Sequence, residues 1–168
     1  ALTMQLPELG KPSYMRTARN KTPVLYDGRE NEIEIGKGIV VKEGSDVAII
    51  ACGVLVHEAI TAAEELAAEG VSASVIDMHT LKPLDTDLID SLVASCGAVV
   101  TAEDHSIIGG LGGAVAEHLI STNPVPMERI GVPDRFGESA SADEMLEMMG
   151  LKSHHISDAA KRAIARKA

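Results

Sequence analysis

From Gly38 onward the apolar residues of this chain alternate between two patterns: short unbroken runs, and longer stretches spaced by three and four. Unbroken runs predict strands covered on both faces, and the three-four spacing predicts amphipathic helices. Ile39, Val40 and Val41 predict a short strand, Glu43-Gly44-Ser45-Asp46 a turn, and Val47 to Cys52 a second strand, a pair that reads as an antiparallel hairpin. Val56, Ala59, Ile60, Ala63, Leu66 and Ala67 then line one helical face, capped by Gly70. Val71 to Met78 predicts the next strand, so strand, helix and strand form a right-handed crossover. Pro83, Leu84 and Asp85 announce a helix over Asp87 to Ser95, closed by Gly97. Ala98 to Ala102 is a further buried strand, with Glu103, Asp104 and His105 marking its carboxyl end. Gly109, Gly110, Gly112 and Gly113 follow, and Ala114, Val115, Ala116, Leu119 and Ile120 carry helical spacing. Met127 to Val132 predicts the last strand, and helices over Ala142 to Met149 and Ser157 to Arg166 end the chain, the second opened by Ser157 as cap. The pattern predicts an α/β three-layer sandwich with a mixed, mainly parallel sheet of about five strands.

Residues 1–37 differ from this pattern. Pro7, Pro12 and Pro23 interrupt them, Lys11, Arg16, Arg19 and Lys21 cluster, and no helical period of useful length appears. Ser13 to Thr17 has the makings of a strand whose sheet lies outside this chain. A structureless segment of this length is unusual inside a compact domain, so it reads as the tail of a preceding domain plus a linker arm, with 38–168 as the folded unit.

Composition narrows the function classes. Two Tyr, one Phe and no Trp leave no surface on which bases could stack, and a net charge of -10 opposes phosphate backbones. No nucleic-acid partner is expected. Cys52 and Cys96 lack metal-ligand spacing and read as buried free thiols, which suits a reducing cytoplasm. No segment approaches the length of apolar sequence that spans a membrane, and the amino terminus carries no secretory pattern, so no membrane partner is expected either.

Ligands of open α/β sheets bind at the carboxyl ends of strands. Three polar clusters lie there: His79-Thr80 with Lys82, Glu103-Asp104-His105, and Asp134-Arg135 with Glu138. Strand alternation puts Glu103 and His105 on one side, as an acid-base pair or as a structural or interface pair. The second reading is preferred, because no nucleophile accompanies them: the chain has no Gly-x-Ser-x-Gly elbow and no His-Glu-x-x-His. Glycine in a helical first turn costs roughly 1 kcal/mol relative to alanine, so the glycines need a reason. Gly110-x-Gly112 resembles the opening of a dinucleotide fingerprint, but Val115 stands where the third glycine belongs. An anion site remains one reading; close packing or an interface is the preferred one. His154 and His155 are adjacent, so their rings are expected to point apart, against a metal site. Met145, Met148 and Met149 read as core filler.

Two stretches carry a resemblance. Tyr14-Met-Arg-Thr-Ala-Arg-Asn, followed by Lys21-Thr-Pro-Val-Leu-Tyr, resembles the end of the pyrimidine-binding domain of transketolases. Val75-Ile-Asp-Met-His-Thr-Leu-Lys-Pro-Leu-Asp and Val100-Thr-Ala-Glu-Asp-His-Ser-Ile-Ile-Gly-Gly-Leu-Gly resemble the carboxyl-terminal domain of that family, most closely in split, two-subunit enzymes. The first of these is also similar to deoxyxylulose-phosphate synthases and to the beta subunits of 2-oxoacid dehydrogenases. The resemblance implies an enzyme that uses thiamine diphosphate and a divalent metal to transfer a two-carbon ketol unit between sugar phosphates. It implies that both are held by other domains, marked by a Gly-Asp-Gly motif absent here, and that this chain alone binds neither and is inactive. It implies remaining transketolase domains or an amino-terminal subunit as partners, with homodimer contacts. One site residue carries over: Arg19 as a substrate-phosphate ligand, with Arg16 as the first arginine of the pair. Ala18 stands where the family has Ser or a similar small residue, which leaves the arginine spacing intact.

Overall fold

The computed structural model describes residues 1–19, 21–28 and 32–167. Its elements are α1 (Leu2–Gln5), a 3-10 turn (Leu6–Leu9), β1 (Ile39–Lys42), β2 (Val47–Ala51), α2 (Leu55–Ala68), β3 (Ala73–Asp77), α3 (Thr86–Cys96), β4 (Val99–Ser106), α4 (Leu111–Ser121), β5 (Met127–Val132), α5 (Ala142–Met148) and α6 (Ser153–Ile164). The strands form one sheet in the order β1-β3-β2-β4-β5. Strand alternation sorts the core into two halves. Val47, Ile49 and Ala51 of β2 pack with α2 and α6 on one face, and Ala48 and Ile50 with α3 and α4 on the other. Ile49 and Ile50 are fully buried, each worth about 1.5–3 kcal/mol of hydrophobic stabilisation. The architecture is the expected three-layer sandwich.

The local signals work as read in several places. Asp85 caps α3, its side chain accepting from Leu88 N–H, and Gly97 takes a left-handed conformation just past the helix. At α5, Ser141 and Glu144 satisfy each other's backbone amides in a capping box.

Three expectations need correction. β1 is antiparallel, but its partner is β3 and not β2. Both edges of β2 are taken by parallel pairing to β3 and β4, which leaves only the outer edge of β3 for β1. The chain crosses the start of β3 between the two strands, so closely that a Cβ on Gly44 would lie 2.2 Å from the Ala73 carbonyl carbon. Second, β4 does not stop at Ala102 but runs on to Ser106, where it rejoins β5 at Val132 after an irregularity in register. Third, α6 starts at Ser153, with Lys152 at its N-cap position, and Ser157 is a buried interior residue. Its apolar stripe already begins at Ile156 and continues through Ala159, Ala160 and Ala163, so the helix needs a turn before Ile156.

Ser13 to Thr17 pairs with no strand of this chain among the described residues. The segment before β1 is nevertheless tied down, because Gln5 receives the Ile35 N–H on its side-chain oxygen at 3.0 Å.

Candidate functional site

Alternation along β4 places Thr101, Glu103 and His105 on the face covered by α4. Glu103 is 0% exposed, and its two carboxylate oxygens accept the N–H of Leu111 at 2.6 Å and of Gly112 at 2.8 Å. These are first-turn amides of α4, which have no partner within the helix, and a carboxylate there also meets the positive end of the helix dipole. His105 Nε2 lies 3.0 Å from the same carboxylate. The expected pairing of Glu103 with His105 is therefore present, and Gly110 and Gly112 lie beside it.

Gly110 and Gly112 are there for close approach, whereas a Cβ on Gly113 would meet nothing within 4 Å. A Cβ on Gly110 would lie 2.0 Å from Glu103 Oε2 and 2.4 Å from His105 Cε1, and one on Gly112 would lie 2.9 Å from Thr101 Oγ1 and from Arg129 Cδ. An outside phosphate would find the amides of Leu111 and Gly112 already on Glu103. The geometry supports packing, with an internal anion where the fingerprint reading would put an external one.

Asp104 points to the opposite face of β4, where the arm arrives. Arg16 forms an ion pair with the Asp104 carboxylate and donates to its backbone carbonyl at 3.3 Å. Arg19, three residues further along, is exposed and has no ion pair among the described residues. Of the third polar cluster, Arg135 is turned away onto the end of α5, donating to Met148 O at 2.6 Å.

A neighbouring group was hidden in the sequence. Beyond the carboxyl ends of β2 and β3, the arm roofs a hollow of about 260 Å³ lined by Pro23, Tyr26, Gly53, His57, Asp77 and His79. Tyr26 donates its hydroxyl to Asp77 Oδ2 at 2.9 Å, and the His57 ring meets Pro23 O at 3.1 Å. Asp77 Oδ1 and His79 Nε2 are buried without a hydrogen-bond partner. Burial raises the Asp77 carboxyl above its ordinary range, against the Tyr26 hydrogen bond, and burial lowers His79. The thiol of Cys52 below them is pushed up to about 12, first by burial and then by the charges of Glu103, Asp104 and Asp77. The available signal was Asp77 itself, a carboxylate inside the apolar run from Val71 to Met78.

The adjacent histidines also depart from expectation. The rings of His154 and His155 do not point apart; their centroids are 3.9 Å apart with planes tilted by 37°. Both lie in the first turn of α6, where no preceding turn restricts their rotamers. Of the methionines, Met149 is buried and Met145 packs on the core, but Met148 is 43% exposed.

Comparison with known proteins identifies what this scaffold is. The model of the family "Transketolase, C-terminal domain" matches residues 36–156. The chain belongs to that family. Within it, the 6-deoxy-6-sulfo-D-fructose transketolase subunit of Clostridium sp. (strain MSTE9) is 44% identical over 156 residues, or 93% of this chain and 48% of that subunit. The 1-deoxy-D-xylulose-5-phosphate synthase of Trichormus variabilis is 41% identical over 160 residues, or 93% of this chain and 25% of the synthase. A solved split gene transketolase, described as an inactive β4 tetramer, is 43% identical at a TM-score of 0.85, covering 89% of this chain and 49% of that one. The chain thus spans about half the length of its split transketolase relatives. No helix among the described residues is long and apolar enough to cross a membrane.

Proposed function

We propose that this chain is the non-catalytic carboxyl-terminal part of a thiamine-diphosphate-dependent transketolase, serving assembly while the two-carbon ketol transfer between sugar phosphates takes place on partner domains. The observation that carries this reading is the arm. Arg16 is fastened to Asp104 at the carboxyl edge of the sheet, and the next guanidinium along, Arg19, is left exposed. A guanidinium matches a phosphate with two parallel hydrogen bonds, so Arg19 is the contact this chain offers to a sugar phosphate.

The residues present do not fit the cofactor. The glycine-opened start of α4, the place where the sequence suggested amides for a phosphate, has Leu111 and Gly112 committed to Glu103, so it offers a diphosphate no donor pair. The proposal accordingly assigns thiamine diphosphate and its divalent metal to the partner, an amino-terminal subunit or the remaining domains. Exposed Ile108, Ile120 and Phe136 supply apolar area for that partner or for a second copy of the chain. The relative described as an inactive β4 tetramer supports assembly without turnover. The buried thiols Cys52 and Cys96 suit a cytoplasmic setting.

The test is a coupled ketol-transfer assay on the chain alone and after mixing with a polypeptide that carries the diphosphate-binding and pyrimidine-binding domains. Activity is expected only in the mixture. Arg19→Ala should then raise KM for phosphorylated substrates about tenfold or more, the loss of a charge-assisted hydrogen bond of about 1.5–3 kcal/mol. Turnover by the chain alone, or an Arg19→Ala variant with unchanged KM, overturns the respective claim. A synthase parent is the second reading, favoured by the 41% identity to the Trichormus enzyme, and deoxyxylulose phosphate as the product would select it.

A further inference from the structure

The helices α5 and α6 meet at a tight turn through Met149, Gly150, Leu151 and Lys152. Glu147 leaves the last turn of α5, and His154 and His155 occupy the first turn of α6. One ring nitrogen of each histidine and one oxygen of Glu147 lie within 4.8 Å of one another. His154 Nε2 and Glu147 Oε1 are 3.4 Å apart, close to the separation of about 3.3 Å between two ligands on one tetrahedral ion with bonds of 2.0–2.1 Å. His155 Nδ1 is buried with no hydrogen-bond partner, so the ring retains an unanswered nitrogen.

The scaffold around the three is fixed without them. Leu151 N–H donates to Leu146 O at 2.8 Å, and Met149, Leu151 and Ile156 are buried. Ser153 donates its backbone N–H to Glu58 at 2.8 Å and its hydroxyl to Glu65 at 2.6 Å, which pins the start of α6 to α2. The nearby cation, Lys152, is already paired with Glu58 and Asp143. Glu147 also borders an open hollow with Asp143 and Glu144, an approach lined by negative charge. Two imidazoles and one carboxylate are a borderline set: they suit zinc, nickel or copper, and they are too nitrogen-rich for magnesium or calcium.

We propose that Glu147, His154 and His155 form a surface site for a late first-row divalent cation, exemplified by Zn²⁺, with water completing its coordination and the ion bridging α5 to α6. The proposal rests on these three residues alone and does not depend on the functional reading above.

The experiment is titration of the tag-free full chain with Zn²⁺ by calorimetry, with histidine ring resonances followed by NMR, and Mg²⁺ as the comparison ion. The expected result is one saturable Zn²⁺ site that shifts His154 and His155 but leaves His57, His79, His105 and His118 in place, with no response to Mg²⁺. Glu147→Gln, at an exposed position, should weaken binding at least fivefold with the fold intact, and His154→Ala at least tenfold. No saturable Zn²⁺ site would overturn the proposal, as would ring shifts confined to other histidines or full affinity in both variants.

Discussion

Replacing Glu103 tests whether one buried carboxylate holds the glycine-opened helix onto the sheet. Glu103→Gln keeps the side chain's shape but turns one acceptor into an NH₂ group, so one of the two amides, Leu111 at 2.6 Å or Gly112 at 2.8 Å, faces a donor in a site with no access to water. A hydrogen bond to a charged group is worth about 1.5–3 kcal/mol, and a buried donor left without a partner costs about 1–3 kcal/mol, so a net loss of about 3 kcal/mol is expected. Glu103→Ala removes both acceptors and leaves a cavity, for about 5 kcal/mol. In a chain of 168 residues each kcal/mol moves Tm by about 2–4 °C, so the glutamine variant should melt about 6–12 °C lower. With no Trp and two Tyr, circular dichroism is the appropriate probe, in urea and on heating. The urea midpoint should fall at constant slope, since the area exposed on unfolding is unchanged. Amide exchange at Leu111 and Gly112 should accelerate ahead of the rest of α4. A loss under about 1 kcal/mol, with both amides as protected as in the wild type, would refute the claim that Glu103 is their partner.

Two further outcomes follow from the carboxyl edge. With its thiol pushed up to about 12, Cys52 should react with a disulfide reagent at pH 8 about a thousandfold more slowly than a free cysteine in the folded chain, and at the free rate in urea; fast labelling of the native protein would contradict its burial. His79 is held below 6.5, mainly by burial and partly offset by Asp77, so between its folded value and 6.5 the unfolded chain binds more protons. Its contribution to stability is present above pH 6.5 and is lost as pH falls through that window. His79→Gln should flatten the decline in urea midpoint between pH 7.5 and 5.5, and an unchanged slope would count against it.

Much of the scaffold was written locally. The unbroken apolar runs became strands because a strand covered on both faces must be apolar on both, and the three-four spacing became helices because that period builds one buried stripe. Asp85, Gly70 and Gly97 marked helix ends through their own backbone and side-chain chemistry, which needs no distant partner. The pairing of Glu103 with His105 was legible for the same reason, since alternation alone brings them to one side.

What depended on residues far apart in the chain could not be read that way. Which edge β1 pairs with was decided by competition among strands: β2 had both edges filled, and only the whole sheet shows it. The glycines of α4 looked open to a phosphate until the fold brought Glu103 onto the same amides. Asp77 became chemically distinct only through its burial in the folded sheet, and Glu147 reached the two histidines only because α5 turned back on α6. Sequence fixes periodicity, caps and turns because these act within a few residues; tertiary structure alone decides edges, buried charges and converging ligands, because each needs a partner that only chain folding brings near.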